Sequence, residues 1–514
     1  MMLPLGKLLT RAGLLEYVGA EGLAPGEARI PVESVVYDSR QAGPGAIFVA
    51  VDGFHVDGHD FAHDAVARGA VAVIAEHPPH PPVPVATPLF FVDDPRVALS
   101  ALAAALLDDP SRDLVVAGIT GTDGKTTTAT LLWAAWRAAG FPAASLTTVD
   151  WRCGGDITPN TTRQTTLEAV ELQEMLATFR QRGCTHAAVE TSSHALALHR
   201  VDHVRYRCAV YTRVTSEHLD IHGDRDAYLA AKVRLARLVS PRDDGIVVLD
   251  ATDDFAAPVL LRIPVATRLT YSADPGVAAD VYAVRLHAGE SGVQFDLRSP
   301  WGEAAAWLRL GGRFNVANAL AAITAACATG VSLGAAVAGV ESVERVAGRM
   351  ERVDLGQPFD VVVDYAHTAE SLATVLRELR ETTSGRLWTV FGSAGERDVE
   401  KRAEMGAVAA QLADRIVITD EDPRDEDRMR ILDGIAAGAR SHGATDGENL
   451  WLVPDRSDAI SYAMEHAEPG DAVLLAGKGH EGSIITASGA IPWDERREAE
   501  RAIAARMGAA PAEL

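Results

Sequence analysis

Lysine is nearly missing from this chain: five of its 48 basic side chains are lysine (Lys7, Lys125, Lys232, Lys401 and Lys478) and the other 43 are arginine. An ammonium is a compact charge whose pKa shifts readily and whose amine can act as a nucleophile, which guanidinium does not do. Lysines that survive in so arginine-rich a composition mark places where arginine fails. Lys125, Lys232, Lys401 and Lys478 stand in glycine-rich or charge-dense segments, whereas chance survival at the surface accounts for Lys7. Cysteine is scarce too. Cys153, Cys184, Cys208 and Cys327 occur singly, without a CxxC pair, which excludes a disulfide framework, opposes structural zinc and fits a reducing cytoplasm. The net charge of −23 opposes non-specific binding to nucleic acid or anionic membrane, so an anionic substrate has to be met by local Arg, Lys or backbone N–H groups. One uncharged stretch, from Ala319 to Val340, is long enough to raise a membrane span. It is rich in Ala, Gly and Thr and broken at Gly330-Val331-Ser332, so it reads as two buried helices joined by a Ser-capped turn. The N-terminal MMLPLGKLLTRAGLLEYV is interrupted by Lys7 and Arg11, lacks a small-residue cleavage site and reads as an amphipathic helix, not a signal peptide.

What is present is an ordinary globular composition, 47 % apolar over 514 residues, a length that suggests about three domains. Residues 28–107 alternate short β-like runs (SVVYDS, AIFVAV, AVAVIAE, PLFFVDD) with Ala-rich helical patterns, and the Pro-rich segment from Glu76 to Pro88 is a loop inside that small α/β unit. LVVAGIT then runs into a Gly-rich turn, followed by strands at AAVET, CAVYTRV and GIVVLD separated by helices, the alternation of a parallel sheet covered on both faces. An antiparallel, meander-like segment spans RLTYS to AAAWLRL. A further α/β block begins near Gly348. The expected class is α/β, in three domains: 1–109, 110–345 and 346–514.

The strongest motif is Gly118-Ile119-Thr120-Gly121-Thr122-Asp123-Gly124-Lys125-Thr126-Thr127, between an apolar strand and a helix. In such a loop glycines let backbone N–H groups face phosphate oxygens, the helix N-terminus adds positive potential, Lys reaches the β- and γ-phosphates and Thr binds Mg²⁺. Ile119 occupies the position where the standard spacing has its first Gly. A Gly-rich turn without a ligand is the bland alternative. Glu190, in VETSSHALALHRV, ends a strand at the edge where open α/β sheets bind ligands, and so is placed to reach a nucleotide-bound Mg²⁺. TRVTSEHLDIHGDRDAYLAAKVRL supplies Glu217, His218, Asp220, His222 and Lys232, either a metal-binding cluster or structural histidines.

GTDGKTT, ETSSHALALHR, EHLDIHG with AAK, GGRFNVAN, GRME, VVDYAHT, ERDVEKR, DPR and GKGHE, in this order, resemble the Mur ligases of peptidoglycan synthesis from about Asp38 to Arg497. The resemblance implies a UDP-MurNAc-binding α/β domain, a central P-loop ATPase domain with a mostly parallel sheet and a C-terminal Rossmann-like domain binding the incoming amino acid. It implies ATP-dependent addition of a diamino acid to the D-Glu γ-carboxylate of UDP-MurNAc-L-Ala-D-Glu through an acyl phosphate, by a cytoplasmic monomer using Mg²⁺. Matched by motif, Gly121, Thr122, Asp123, Gly124, Lys125, Thr126 and Thr127 would hold ATP phosphates. Thr126 and Glu190 would hold one Mg²⁺, His218 the second, and Lys232 would be carbamylated to N6-carboxylysine. Asn315 and Asn318 fall on the adenine side, Arg349 on phosphate and Asp364 on ribose. Ser39, Thr165, Thr166, Ser192 and Arg200 match contacts to the UDP-sugar dipeptide. Leu167 stands where the family usually has Pro, and Leu198 where some members have a Gln contact. A related folate- or polyamino-acid-extending ligase shares the central motifs but gives no reason for the N-terminal DSR…DGHDF module. A non-catalytic descendant would have lost Glu190, His218 or Lys232.

By the same resemblance, Arg397, Glu421, Asp422, Pro423, Arg424, Gly477 and Glu481 select the amino acid. Diaminopimelate-adding members carry Asn where this chain has Asp422, inside TDEDPRDEDR, which puts six carboxylates in eight positions from Asp420 to Asp427. That run reads either as a solvated acidic loop or as extra negative charge favouring a side-chain ammonium, as in L-lysine or L-ornithine, over meso-diaminopimelate. His55, His59 and His63 recur every four residues like metal ligands on one helix face, but Gly58 interrupts them and DGHDF reads as a turn.

Overall fold

β-Branched and aromatic runs bounded by Gly, Pro and Asp build parallel sheets throughout the computed structural model, which describes residues 2–15, 23–53, 56–215, 222–240, 242–289, 292–396 and 399–508. The chain divides into two units, Met1–Thr270 with Thr324–Val331, and Tyr271–Ile323 with Ser332–Leu514.

In the first unit, β1 (Ser34–Val36), β2 (Ala46–Val49), β3 (Ala72–Ala75) and β4 (Leu89–Phe91) form a parallel sheet in sequential order. β2 and β3 are buried at every position, as expected of parallel strands covered on both faces. Helices α1 (Leu5–Arg11), α2 (Ala62–Ala67) and α3 (Pro95–Leu106) pack on this sheet. α3 starts where its sequence says it should: Asp94 accepts from the Arg96 and Val97 N–H groups, and Pro95 occupies the first turn.

The larger sheet of this unit begins with β5 (Val115–Thr120), β6 (Ala143–Leu146), β7 (Asp150–Cys153), β8 (Asp156–Pro159) and β9 (His186–Glu190) and continues with β10 (Tyr206–Tyr211), β11 (Ile246–Asp250) and β12 (Thr267–Ser272). The spatial order is β8-β7-β6-β9-β5-β10-β11-β12, and the five strands from β6 to β11 are parallel. Helices α4 (Lys125–Ala138), α5 (Ala169–Gln181), α6 (Ser193–Ala197) and α7 (Arg225–Val239) cross between them. The carboxyl ends of β5, β6, β9 and β10 therefore open on one edge, where ligands of such sheets bind.

In the second unit, β13 (Val281–Gly289), β14 (Gly292–Ser299) and β15 (Gly302–Leu308) make the expected antiparallel meander. The uncharged stretch, of which Thr324–Val331 belongs to the first unit, folds as α8 (Phe314–Ala328) and α9 (Leu333–Glu341), with Ser332 capping α9 through the Ala335 N–H, as its sequence predicts. Among the described residues no helix is long and apolar enough to cross a membrane. The C-terminal sheet holds β16 (Glu351–Arg352), β17 (Asp360–Asp364), β18 (Leu387–Phe391), β19 (Arg415–Ile418), β20 (Leu450–Leu452) and β21 (Ala472–Ala476), ordered β16-β17-β21-β18-β19-β20 and parallel from β17 onward. Apolar cores cover both faces, under α10 (Ala369–Thr382), α11 (Glu400–Leu412) and α12 (Arg428–Ser441) on one and α13 (Arg456–His466) and α14 (Glu495–Arg506) on the other. The hairpin β22 (Ser483–Thr486) and β23 (Gly489–Pro492) follows the last parallel strand. Because β21 inserts between β17 and β18, loops distant in sequence converge at the carboxyl edge of this sheet.

Candidate active site

β5 runs directly into the glycine-rich loop and α4 begins at Lys125. Gly121 is required by space, since a Cβ there would lie 1.8 Å from Thr212 Oγ1. Thr212, just past β10, fastens the loop by hydrogen-bonding the Asp123 carbonyl at 2.6 Å. Thr122 Oγ1 accepts from the Thr215 N–H at 2.9 Å and lies 3.1 Å from the Tyr228 hydroxyl. Lys125 Nζ donates to the Gly121 carbonyl at 3.1 Å and the Thr122 carbonyl at 2.7 Å, so its ammonium sits over the loop. Thr126 and Thr127 follow, buried in the first turn of α4.

Glu190 ends β9, almost fully buried; its Oε2 accepts from Thr126 Oγ1 and from the Thr148 N–H, both at 2.9 Å. A carboxylate beside a hydroxyl at a helix N-terminus is a hard-oxygen set that fits Mg²⁺. Lys232 lies in the middle of α7 and is buried. Its Nζ donates to the Gly121 carbonyl at 2.7 Å, the same oxygen that Lys125 engages, and lies 4.5 Å from the ring centroid of Tyr228, one helical turn earlier. His222 Nε2 lies 3.1 Å from Ser193 Oγ. His218, Arg397 and His55 fall outside the described residues.

Of the residues matched to the UDP-sugar dipeptide, three are brought together beside Glu190. Thr166 Oγ1 donates to the Glu190 carbonyl at 2.8 Å and accepts from the Ser192 N–H at 2.9 Å. Ser192 caps α6 through the Ala195 N–H, and Arg200 donates to the Thr166 carbonyl at 3.2 Å while pairing with Glu168 at 2.6 Å. Thr165 precedes this cluster, Leu167 is buried in the core, and Leu198 ends α6. Ser39 opens a turn after β1 that is capped by Asp38.

In the second unit Asn315 Nδ2 donates to the Gly311 carbonyl at 2.7 Å and Asn318 Nδ2 to Asn315 Oδ1 at 2.9 Å, within the start of α8. Asp364 ends β17 and accepts from the Met350 and Ala366 N–H groups at 2.8 Å each, while the Arg349 guanidinium lies 4.6 Å from the Tyr365 ring centroid. Arg349 and Asp364 thus share one corner of the sheet edge. Lys401 Nζ reaches the His367 carbonyl at 3.3 Å.

The segment 420–427 is only in part a solvated loop: Asp425 and Asp427 are exposed, whereas Asp420, Glu421 and Asp422 are buried. Asp420 pairs with Arg428, Glu426 with Arg402 at 2.7 Å, and Asp427 caps α12. Arg402 holds the Glu426 carboxyl down at about 2. Asp422 Oδ1 accepts from Lys478 Nζ at 2.8 Å and from the Ile485 N–H at 2.9 Å. Lys478, fully buried, also donates to Glu481 Oε2 at 2.5 Å, and Tyr365 OH to Glu481 Oε1 at 3.3 Å. Asp422, expected among the residues that select the amino acid, is thus paired with the chain's own Lys478. Glu421 differs. It is 8 % exposed, its Oε2 has no hydrogen-bond partner, and a Cβ at Gly477 would come within 3.3 Å of that oxygen. Pro423 leads to Arg424, whose φ of +56° and backbone bond to Ile485 fix it beside the hairpin, with its Nε buried and unpartnered.

The histidine of DGHDF is structural. His59 Nδ1 bonds Asp57 at 2.6 Å and its Nε2 accepts from the Glu76 N–H at 3.1 Å, which occupies both ring nitrogens. His77 stacks on His59 at 3.7 Å and completes a potential metal cluster with Asp57, but a ring that donates from one nitrogen and accepts at the other has no lone pair left for an ion. His63 faces the Pro82 carbonyl.

Sequence reasoning misses Thr212, Thr148 and Tyr228, which lock the loop, orient Glu190 and floor Lys232. Only Tyr228 leaves a trace, four residues before Lys232 on one helix. It also leaves the partners of Lys478 unassigned.

Residues 31–106 match the Mur ligase family catalytic domain, 119–326 the Mur ligase middle domain and 348–479 the Mur ligase glutamate ligase domain. The chain is 46 % identical over 485 residues to the UDP-N-acetylmuramyl-tripeptide synthetase of Roseiflexus sp. (strain RS-1), covering 92 % of this chain and 94 % of that one. It is 39 % identical over 497 residues, 96 % of this chain and 97 % of the relative, to the UDP-N-acetylmuramoyl-L-alanyl-D-glutamate--2,6-diaminopimelate ligase of Streptomyces coelicolor. A solved structure of a ligase of the latter name superposes with a TM-score of 0.67 at 30 % identity, covering 99 % of this chain and 100 % of that chain. With the P-loop, the buried Lys232 and the three α/β sheets in place, the chain belongs to the Mur ligase family and has its three-domain architecture.

Proposed function

We propose that this chain is an ATP-dependent ligase of peptidoglycan synthesis, joining a diamino acid to the D-Glu γ-carboxylate of UDP-MurNAc-L-Ala-D-Glu. The observation that carries this reading is the gathering of Lys125, Lys232, Thr126 and Glu190 around one glycine-rich loop. The similarity to tripeptide synthetases along nearly the whole chain supports it. The substrate carboxylate attacks the γ-phosphorus of ATP and ADP leaves; the amine then attacks the acyl carbon, phosphate leaves and the amine loses a proton. Two anions must meet, so cationic groups have to absorb the charge. Lys125 binds the phosphates. Thr126 and Glu190 would hold one Mg²⁺, with His218 and a carbamylated Lys232 at a second, and the ion would neutralise phosphate charge as a Lewis acid. A carbamate fits the pocket of Lys232 because its nitrogen keeps one N–H for the Gly121 carbonyl.

Residues 1–109, with Ser39, and the Thr165, Thr166, Ser192 and Arg200 cluster receive the UDP-sugar dipeptide. Residues 110–345 bind ATP, with Asn318 on the adenine side, and from the following block Arg349 would meet phosphate and Asp364 the ribose. Residues 346–514 bind the amino acid, for which the chain's charge favours L-lysine or L-ornithine. The enzyme works in the cytoplasm as a monomer. Phosphate release from ATP and UDP-MurNAc-L-Ala-D-Glu, measured with L-lysine, L-ornithine and meso-diaminopimelate, tests the reading, and absence of turnover with all three sinks it.

A further inference from the structure

We propose that Cys153 and Cys184 form a reversible, peroxide-responsive disulfide clip at the edge of the large sheet of the first unit. The proposal goes beyond the ligase reading and does not depend on it. The two sulfurs lie 3.4 Å apart although the residues stand 31 positions apart in sequence. Cys153 ends β7, whereas Cys184 follows α5 and leads into β9. Between the two strands runs β6, paired with β7 on one side and with β9 on the other. Both cysteines belong to the apolar cluster that holds Ala144, Leu176 and Phe179. The Cys184 N–H donates to the Phe179 carbonyl at 2.9 Å and the Gly154 N–H to the Ala143 carbonyl at 3.1 Å, so the backbone on each side holds its sulfur in place. Sulfurs brought into contact by separate elements need to approach by only about 1.4 Å to reach bonding distance.

Cys153 and Cys184 keep 8 % and 6 % exposure, whereas Cys208 keeps none. After Cys153 comes Gly154-Gly155, where an added Cβ would meet open space, so a molecule as small as hydrogen peroxide has a short way to the sulfur. Arg182, paired with Asp156, acts electrostatically on both sulfurs and favours a thiolate. Burial pushes the Cys184 thiol up to about 12, which leaves Cys153 as the sulfur that peroxide oxidises first. The Cys153 sulfur attacks one peroxide oxygen, the O–O bond breaks, and a sulfenic acid and one water result. The Cys184 sulfur then displaces the hydroxyl from Cys153, its proton leaves with that hydroxyl as a second water, and the S–S bond forms. The thiol pair loses two electrons and the peroxide takes them up. The linkage closes residues 153–184 into a ring that contains Thr165 and Thr166, and it fastens the edge hairpin of β7 and the exposed β8 to the entrance of β9.

The test treats the reduced full-length protein with hydrogen peroxide until the exposed Met429 is converted to its sulfoxide, then alkylates the remaining thiols in denaturant and maps the peptides by mass spectrometry. Cys153 and Cys184 should appear in one linked species lighter by two hydrogens, with Cys208 and Cys327 alkylated, and dithiothreitol should restore all four free thiols. Cys327, as little exposed as Cys184, is the internal control for reactivity outside the pair. The oxidised protein should melt a few degrees above the reduced one, because the ring restricts the unfolded chain. Cys184→Ser should show neither the link nor the rise, and Cys153→Ser serves in its place if that variant does not fold. Both thiols still free once Met429 is oxidised, sulfinic acids without a linked peptide, links to Cys208 or Cys327, or a melting midpoint lowered by oxidation would each overturn the proposal. Since turnover is not the readout, none of these results bears on the ligase reading.

Discussion

Each of the two units buries one lysine at the carboxyl edge of a parallel sheet, and the contacts described for the two differ. In the first unit Lys232 meets a backbone carbonyl and the face of Tyr228. In the second, Lys478 is clamped between Asp422 and Glu481. A carbonyl and a ring face accept an N–H from an amine, a carbamate or an ammonium, whereas two carboxylates at hydrogen-bonding distance require the ammonium. Under the proposed function, the difference separates a lysine open to carbamylation from one that serves as a fixed charge, although both are equally buried.

The contrast can be broken most directly by truncating each lysine. Lys232→Ala should reduce ligase turnover by about a thousandfold, the cost of a group that organises transition-state charge, and formate or acetate should restore part of it if the proposed carbamate is the missing group. Lys478→Ala should gain nothing from the same carboxylates. Equal rescue of both, or of neither, would remove the distinction. Phosphate release with and without added carboxylate is the measurement.

A second difference lies in the ion pairs behind each site. Arg456 and Glu495 are both fully buried, and Arg456 also donates to the carbonyls of Asp420 and Ala476, the residues just before Glu421 and Gly477. Glu495→Ala leaves that guanidinium uncompensated and should cost about 3–5 kcal/mol in denaturant unfolding. The partly exposed Arg200–Glu168 pair of the first unit should cost about 1 kcal/mol or less when Glu168 is truncated.

A third difference is a pH dependence that is not the same in the two units. His186, buried against Phe141 and Trp136, is held down at about 4 from an ordinary 6.5 by desolvation. The unfolded chain therefore binds a proton that the folded chain refuses, and stability falls as pH drops from 6.5 to 4. His186→Phe should flatten the pH dependence of the unfolding free energy from urea titration in that window by on the order of 2 kcal/mol. Glu426, lowered by Arg402 to about 2 from 4.5, stabilises above pH 4.5 and loses its contribution as pH falls through 2. Arg402→Met should remove only that lower slope.

The first unit's site is the more legible in sequence because its chemistry is nearly contiguous: Gly121 to Thr127 carry their geometry in a strand, a turn and a helix start, and Glu190 stands at a recognisable strand end. Thr212 is invisible because its role comes from the neighbouring strand's register, not from its own surroundings. The second unit's site is harder to read. Asp422 and Lys478 are 56 residues apart and meet only because β21 inserts between β17 and β18. Composition alone makes the acidic run look like exposed charge, whereas packing pairs Asp422 and Glu426 with Lys478 and Arg402 from other segments and Asp420 with Arg428 at the end of the run.

The scarcity of lysine also makes the chain its own reporter. Lys232 and Lys478 are shielded by burial, Lys125 and Lys401 are half-exposed and Lys7 is exposed, so an amine-acylating reagent meets very few side chains on the folded surface. Mass spectrometry of the acylated protein would read each lysine as a separate peptide, and protection of Lys125 by a nucleotide would register occupancy of the phosphate loop without any turnover.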